Sequence, residues 1–342
     1  MRFLLLSQAL CGATLVLGRP APSFIQNLEN ELGGLANGGD IGKEIESALA
    51  HVTLEESVEK FAKAPKAVTD PATYGDGPTS KSTDLSQHAS NATAATTCAS
   101  NPNVRFEWDN YSESDRQALM SSIKCLMNKP ASGAFAHSKS RYEDVAALHQ
   151  LYTPNVHSTT TQRNAKFLLW HRYFVWTFEQ VLRDECGFDR AFFWWDETKH
   201  AGAFESSDIF TPAYLGSLTS NDQCVTDGHF AGLTVNIGPN AAFQTRPHGY
   251  GHSAIGGVGR DLYASPDEPW FWFHHTFVDR VYRVWELADP NDRYTQLTGT
   301  DINNVPLTMD TPIYMGGIRP DTTIGEIINT LSGSTLCYKY DY

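Results

Sequence analysis

Twelve histidines are spread over 342 residues, and six of them fall into two ordered groups of three. In Arg246-Pro247-His248-Gly249-Tyr250-Gly251-His252, two histidines stand four residues apart, so on a helix they share one face, one turn apart. That spacing points two imidazoles at one metal ion. His275 follows in Trp270-Phe271-Trp272-Phe273-His274-His275 and offers a third imidazole; Asp279, one helical turn on, is placed to orient it. Upstream, His149, His157 and His171 form a second group. Three neutral imidazoles with no cysteine or carboxylate among them suit copper, and zinc also accepts such a set. A lone histidine is more often a packed or surface residue, but two such groups in one chain describe a binuclear site.

The elements that must position these residues read as helices. Ser112 is a helix N-cap with Asp115 near N3, and that helix runs to about Met127, before Pro130. A second covers Arg141 to Leu151 and carries His149 near its end; Pro154 is expected to stop it, which leaves His157 on a loop. A third, Phe167 to Asp184, is apolar on most faces and therefore central, with His171 in its first turns. Residues 197–245 are loop-rich, and helices resume around His248 and from Pro269 to Ala288. The expected fold is mainly α: a central four-helix bundle holding two metals between facing helices, with long loops and minor β-strands.

Two segments carry a family resemblance. FLLWHRYFVWTFE (167–179) resembles the first copper signature of the tyrosinase, catechol oxidase and hemocyanin superfamily, and EPWFWFHHTFVDR (268–280) resembles the second. The match runs from about Cys98 to Tyr342 and is most similar to the short secreted fungal polyphenol oxidases. The resemblance implies two copper ions per chain, with dioxygen as co-substrate. His149, His157 and His171 would hold the first ion, and His248, His252 and His275 the second. In the tandem pair the family ligates through the second histidine, so His274 stands behind the ligands. His157 and His171 are fourteen residues apart where the family more often has nine, which makes Thr159 to Arg163 an insertion and leaves His137 as a competing ligand. Glu268 stands where the family usually has Asp. Tyr338 and Tyr340 match a closing tyrosine motif whose partner is Arg105, a guanidinium stacked on a phenol ring. Leu262 is the expected gate above the second copper. Many relatives cross-link the second histidine to a cysteine two residues before it; Asn155 occupies that place here.

Composition bounds the rest. Met1-Arg2 followed by the apolar run Phe3 to Leu17 reads as a signal peptide, 1–18, so the product is expected to be secreted. Residues 19–97 read as an N-terminal extension, a possible propeptide ending in a linker, and 98–342 as the catalytic domain, with no C-terminal shielding domain. A net charge of −13 argues against nucleic acid or an anionic membrane as partner and leaves a small phenolic molecule. Beyond the leader five cysteines remain; Cys98–Cys125 is the favoured disulfide because the two flank one short helical segment, while Cys186, Cys224 and Cys337 stay open. Asn91 and Asn110 head N-glycosylation tripeptides.

What the resemblance implies for activity is oxidation of o-diphenols, or o-aminophenols, to o-quinones. Monophenols are harder, because the phenol must lose its proton at the metal. Some hydroxylating relatives place Asn after the first histidine of the second site and a Glu upstream. Here Gly249 follows His248, and Gly238 to Arg246 contains no carboxylate, so monophenol hydroxylation is expected to be weak or absent. The alternatives are a true tyrosinase with monophenol monooxygenase activity and a hemocyanin-like O2 carrier. A di-zinc hydrolase would want bridging carboxylates, and none stands in ligand register.

Overall fold

A computed structural model describes residues 98, 100–157, 166–218, 226–233, 236–237, 251–252, 254–301 and 304–341. The expected leader, extension and linker, and with them Asn91, His248, Gly249, Cys224 and the insertion after His157, lie outside the described residues. Four long helices dominate: α1 (Glu113–Asn128), α2 (Arg141–Val156), α3 (Phe167–Cys186) and α4 (Trp270–Ala288). Each boundary has a local cause. The Ser112 side chain accepts from the Asp115 N–H at the start of α1. Ser140 and Glu143 form a reciprocal capping box on α2, satisfying donors that no helical carbonyl can reach. At the end of α3, Gly187 takes φ 66°, which costs glycine little, and the Phe188 N–H bonds the Leu182 carbonyl.

The second helix outruns its expected end. It continues through Pro154 to Val156, and His157 is its C-cap, with its N–H on the Thr153 carbonyl at 3.0 Å. Proline removes a single i→i−4 bond, and the helix resumes past it with the His157 N–H on the Thr153 carbonyl. His157 is thus anchored to a helix end instead of hanging on a loop.

The central helix α3 packs against α4, α1 and α2. Its apolar faces meet theirs through large rings: Phe178 stacks on Trp272 at 3.7 Å and 4°. The buried Trp272 Nε1 donates to the Tyr142 hydroxyl, which donates on to the Pro266 carbonyl, so no polar atom of that stack is stranded. None of the helices among the described residues is long and apolar enough to cross a membrane.

A small parallel sheet joins the first and last strands among the described residues. β1 (Asn103–Glu107) lies between β2 (Phe192–Trp194) and β5 (Tyr338–Tyr340), while β3 (Pro312–Ile313) and β4 (Thr322–Thr323) make a separate antiparallel pair. Two short α-helices, α5 (Pro290–Arg293) and α6 (Ile324–Ile327), and several 3-10 turns are also described. The disulfides follow this layout and correct the expected Cys98–Cys125 pair. Cys98 bonds Cys337 beside the β1–β5 ladder, and Cys125 bonds Cys186, tying the ends of α1 and α3. A bridge needs Cα atoms within about 7 Å. Cys125 rides at the far end of α1, roughly 18 Å of helix rise from its start, so sequence proximity to Cys98 did not mean spatial proximity.

Beneath the sheet lies a buried charge network. Arg172 forks onto Glu286 at 2.8 and 2.9 Å and reaches Asp279 at 2.7 Å. Arg105 pairs with Glu179 at 3.0 Å and lies 3.7 Å over the Tyr338 ring. Asp279 was expected to orient His275. Its carboxylate instead accepts from Arg172, from Arg105 at 3.4 Å, and from the Tyr338 and Tyr340 hydroxyls, both at 2.5 Å. Burial raises its pKa, but Arg172 and Arg105 outweigh that and hold it below the ordinary value. Asp279 therefore fixes α4 as a body, by its face toward the sheet.

Candidate metal centre

His149 on α2, His157 at its C-cap and His171 in the first turns of α3 converge. One ring nitrogen from each lies within 4.8 Å of the other two, and all three rings are buried. Their orientation is set by what the other nitrogen does. His149 Nδ1 is 2.9 Å from the Tyr263 carbonyl, and His171 Nδ1 is 2.8 Å from the Phe167 carbonyl one turn back on α3. A carbonyl only accepts, so each Nδ1 carries the proton and each Nε2 carries a lone pair. The two Nε2 atoms face one another at 3.3 Å. Two lone pairs held that close repel unless a cation lies between them, so the donor set fits a metal ion.

Protonation does not compete for those lone pairs. Burial pushes His149 down to about 3, and it also drives His157 and His171 well below the usual imidazole range, with the neighbouring histidines adding to the effect. Neutral imidazole is the form that binds metal.

The second group is His252, His274 and His275, again with one ring nitrogen each within 4.8 Å. Of the expected set, His252 and His275 are here, while His248 lies outside the described residues. His252 Nδ1 is 2.6 Å from the Gly259 carbonyl, and burial takes its pKa to about 3. His275 on α4 stacks on His171 at 4.4 Å and 15°, the contact that joins the two groups into one centre. Phe271 covers the other side of His275 at 4.0 Å, and Trp170 and Phe174 line His149. The walls are aromatic.

His274 has the partner that sequence reading missed. Its Nδ1 lies 2.5 Å from Oε1 of buried Glu197, in the segment after β2 that reads as packing in Trp194-Trp195-Asp196-Glu197. Burial, with Asp196 next to it, pushes Glu197 well above the usual carboxylate range. Nothing in the spacing of Glu197 and His274, seventy-seven residues apart, announces the pairing. Gly251 shows how closely this corner is packed: a Cβ there would lie 2.9 Å from His274 Cε1 and 3.1 Å from the Trp270 ring.

The remaining expected residues fall as follows. Leu262 is half-buried, one residue before the Tyr263 whose carbonyl holds His149. His137 is exposed with φ 70° and belongs to neither group. His200 and His229 bond Ser206 and Gln117, away from the centre.

Paired histidine triads between the helices of a mainly α domain fit a binuclear metal site, the arrangement of the type 3 copper proteins. The comparisons place the chain further. The family described as the common central domain of tyrosinase matches residues 139–246 and 240–288. Tyrosinase P of Aspergillus terreus is 26% identical over 333 residues, covering 70% of this chain and 92% of that protein. The N-acetyl-6-hydroxytryptophan oxidase ivoB of Emericella nidulans is 24% identical over 347 residues, covering 71% and 93%. Among solved structures, a mutant polyphenol oxidase from Thermothelomyces thermophila superposes with a TM-score of 0.62 at 26% identity, covering 71% of this chain and 90% of that one. The chain belongs to the type 3 copper, tyrosinase superfamily and is a copper oxidoreductase.

Proposed function

We propose that this is a secreted polyphenol oxidase that converts o-diphenols, or o-aminophenols, to o-quinones with O2, and hydroxylates monophenols weakly or not at all. The observation that carries the reading is the pair of lone-pair-bearing imidazoles, His149 and His171, facing at 3.3 Å beside a second triad. His149, His157 and His171 are the proposed ligands of one copper, and His248, His252 and His275 those of the other. Copper bound there supplies one-electron steps and the reduction of O2. The balance is two diphenols, each losing two electrons and two protons, for one O2 that becomes two waters.

The chain's own residues do the rest. Carbonyls of Phe167, Tyr263 and Gly259 hold the Nδ1 protons and aim Nε2. Rings of Phe271, Trp170 and Phe174 surround the histidines with apolar surface. Weak monophenol activity is supported by Gly249 after His248 and by the carboxylate-free run before it. Export is supported by the apolar leader and by two disulfides, which persist in oxidising compartments. Asn110 is exposed and so open to glycosylation, as an exported acceptor would be.

A second reading, a monophenol-hydroxylating tyrosinase, draws on a relative named for a hydroxytryptophan substrate. Oxygen uptake by the copper-loaded protein on a catechol and the monophenol with the same substituent separates the two. Uptake on the catechol alone is expected; comparable rates on both would replace the diphenol oxidase with the tyrosinase.

A further inference from the structure

A buried carboxylate is costly unless a specific partner compensates it. Glu197 is such a group, 6% exposed, at the first position of the 3-10 turn Glu197–His200 that Asp196 caps. The turn follows directly on β2, whose register against β1 is fixed by three residue pairs, so the carboxylate is delivered from the rigid sheet. Its partner ring is equally confined. His274 stacks on Trp270 at 4.8 Å and 16°, meets His252 edge-on at 4.9 Å and His275 at 5.2 Å, and leaves no room for a side chain at residue 251.

We propose that Glu197 is a positioning residue of the second copper: it accepts the Nδ1 proton of His274 and so pins that ring, from behind, against the ligands His252 and His275. The inference rests on the two-copper reading above. His149, His171 and His252 give their Nδ1 protons to backbone carbonyls, whereas His274 Nδ1 faces a side-chain carboxyl oxygen. A carboxyl side chain held by its own strand and turn fixes the tautomer and plane of the ring it touches, and with them the rings packed against it. The two copper sites are therefore unequal, and the second depends on a residue of the turn that follows β2.

The test is copper binding to the full chain, titrated against a competing chelator, for wild type, Glu197→Leu and Glu197→Gln. Wild type taking up two ions establishes the centre; failure there overturns the proposed function itself. Given two ions in wild type, Glu197→Leu is expected to keep one at full affinity and bind the other about 10–100-fold more weakly. At limiting copper, the half-loaded variant should then show the electron paramagnetic resonance of a single Cu(II). Glu197→Gln keeps an oxygen acceptor in the same place and should recover part of the loss. Two ions bound by both variants with wild-type affinity would overturn the inference, as would equal weakening of both sites. If Glu197→Leu does not fold, Glu197→Gln decides: a selectively weakened second site supports the assignment, and an unchanged one refutes it.

Discussion

Asp267 closes the turn Ser265–Asp267 that leads into α4. It is 2% exposed, and neither carboxylate oxygen has a hydrogen-bond partner among the described residues. Burial, followed by repulsion from Glu143 and Glu268, pushes its pKa from 3.8 up to about 8. Between those two values the folded chain keeps a proton that the unfolded chain has released. The folded state binds the extra proton, so its stability is fullest below about pH 4 and falls as pH rises toward 8. The gap is 8 minus 3.8, about four pK units. At about 1.4 kcal/mol per unit, Asp267 costs the fold at most on the order of 4 kcal/mol by pH 7. Asp267→Asn keeps the shape and removes the titration. Thermal melts of both proteins from pH 4 to pH 8 should coincide near pH 4 and separate steadily as the pH rises from there toward 8. The variant should melt higher by up to roughly 10 °C, at 2–4 °C per kcal/mol for a domain of this size. Parallel curves would refute the reasoning, since they require an Asp267 already ionised and compensated in the fold.

Two further outcomes follow from the packing. Arg172→Met removes the cation shared by Asp279 and Glu286 and leaves both carboxylates buried; the expected loss is about 3–5 kcal/mol, read as a fall in the denaturant midpoint, and an unchanged midpoint would mean the network is idle. Gly251→Ala inverts the usual rule that alanine in a helix stabilises by about 1 kcal/mol. Its methyl would sit 2.9 Å from His274 Cε1, so both melting temperature and copper content should drop; a higher melting temperature at full copper content would show that His274 has room to move.

Much of the centre is legible in the chain because helices convert short spacings into geometry. The single interval from Phe167 to His171 puts a ring nitrogen over its own helix's first carbonyl. The aromatic runs of α3 and α4 declare buried faces, and the Ser112 and Ser140 caps mark where helices begin. What is not legible is whatever depends on two segments meeting. Pro154 reads as a stop, yet the helix carries it because Val156 and His157 have buried positions to fill. Asp279 is one turn from His275 and still turns to Arg172 and the tyrosines, because a buried carboxylate goes to buried cations. Cys98 and Cys337 are 239 residues apart and are brought together by the β1–β5 pairing.

The ligand histidines are thus set by helices, but the aim of two of them is set by the short 3-10 turn Gly257–Arg260 and the residues that follow it. Gly259 and Tyr263 hold His252 and His149, one from each triad, with carbonyls four residues apart. The stretch reaches that shape through left-handed turns at Gly256 (φ 78°) and Gly257 (φ 51°). Gly259 itself is squeezed, since a Cβ there would lie 3.1 Å from Ile255 and 3.3 Å from Glu268. Beyond it, Asp261 accepts the Tyr263 and Ala264 N–H groups at 2.8 Å and closes the turn. One strap therefore sets the ring planes on both sides of the centre, so a change in its backbone shifts one imidazole of each triad together. Glu197 reaches the centre from the sheet and bypasses the strap. Strap variants should accordingly weaken both coppers in step, whereas a Glu197 variant weakens one.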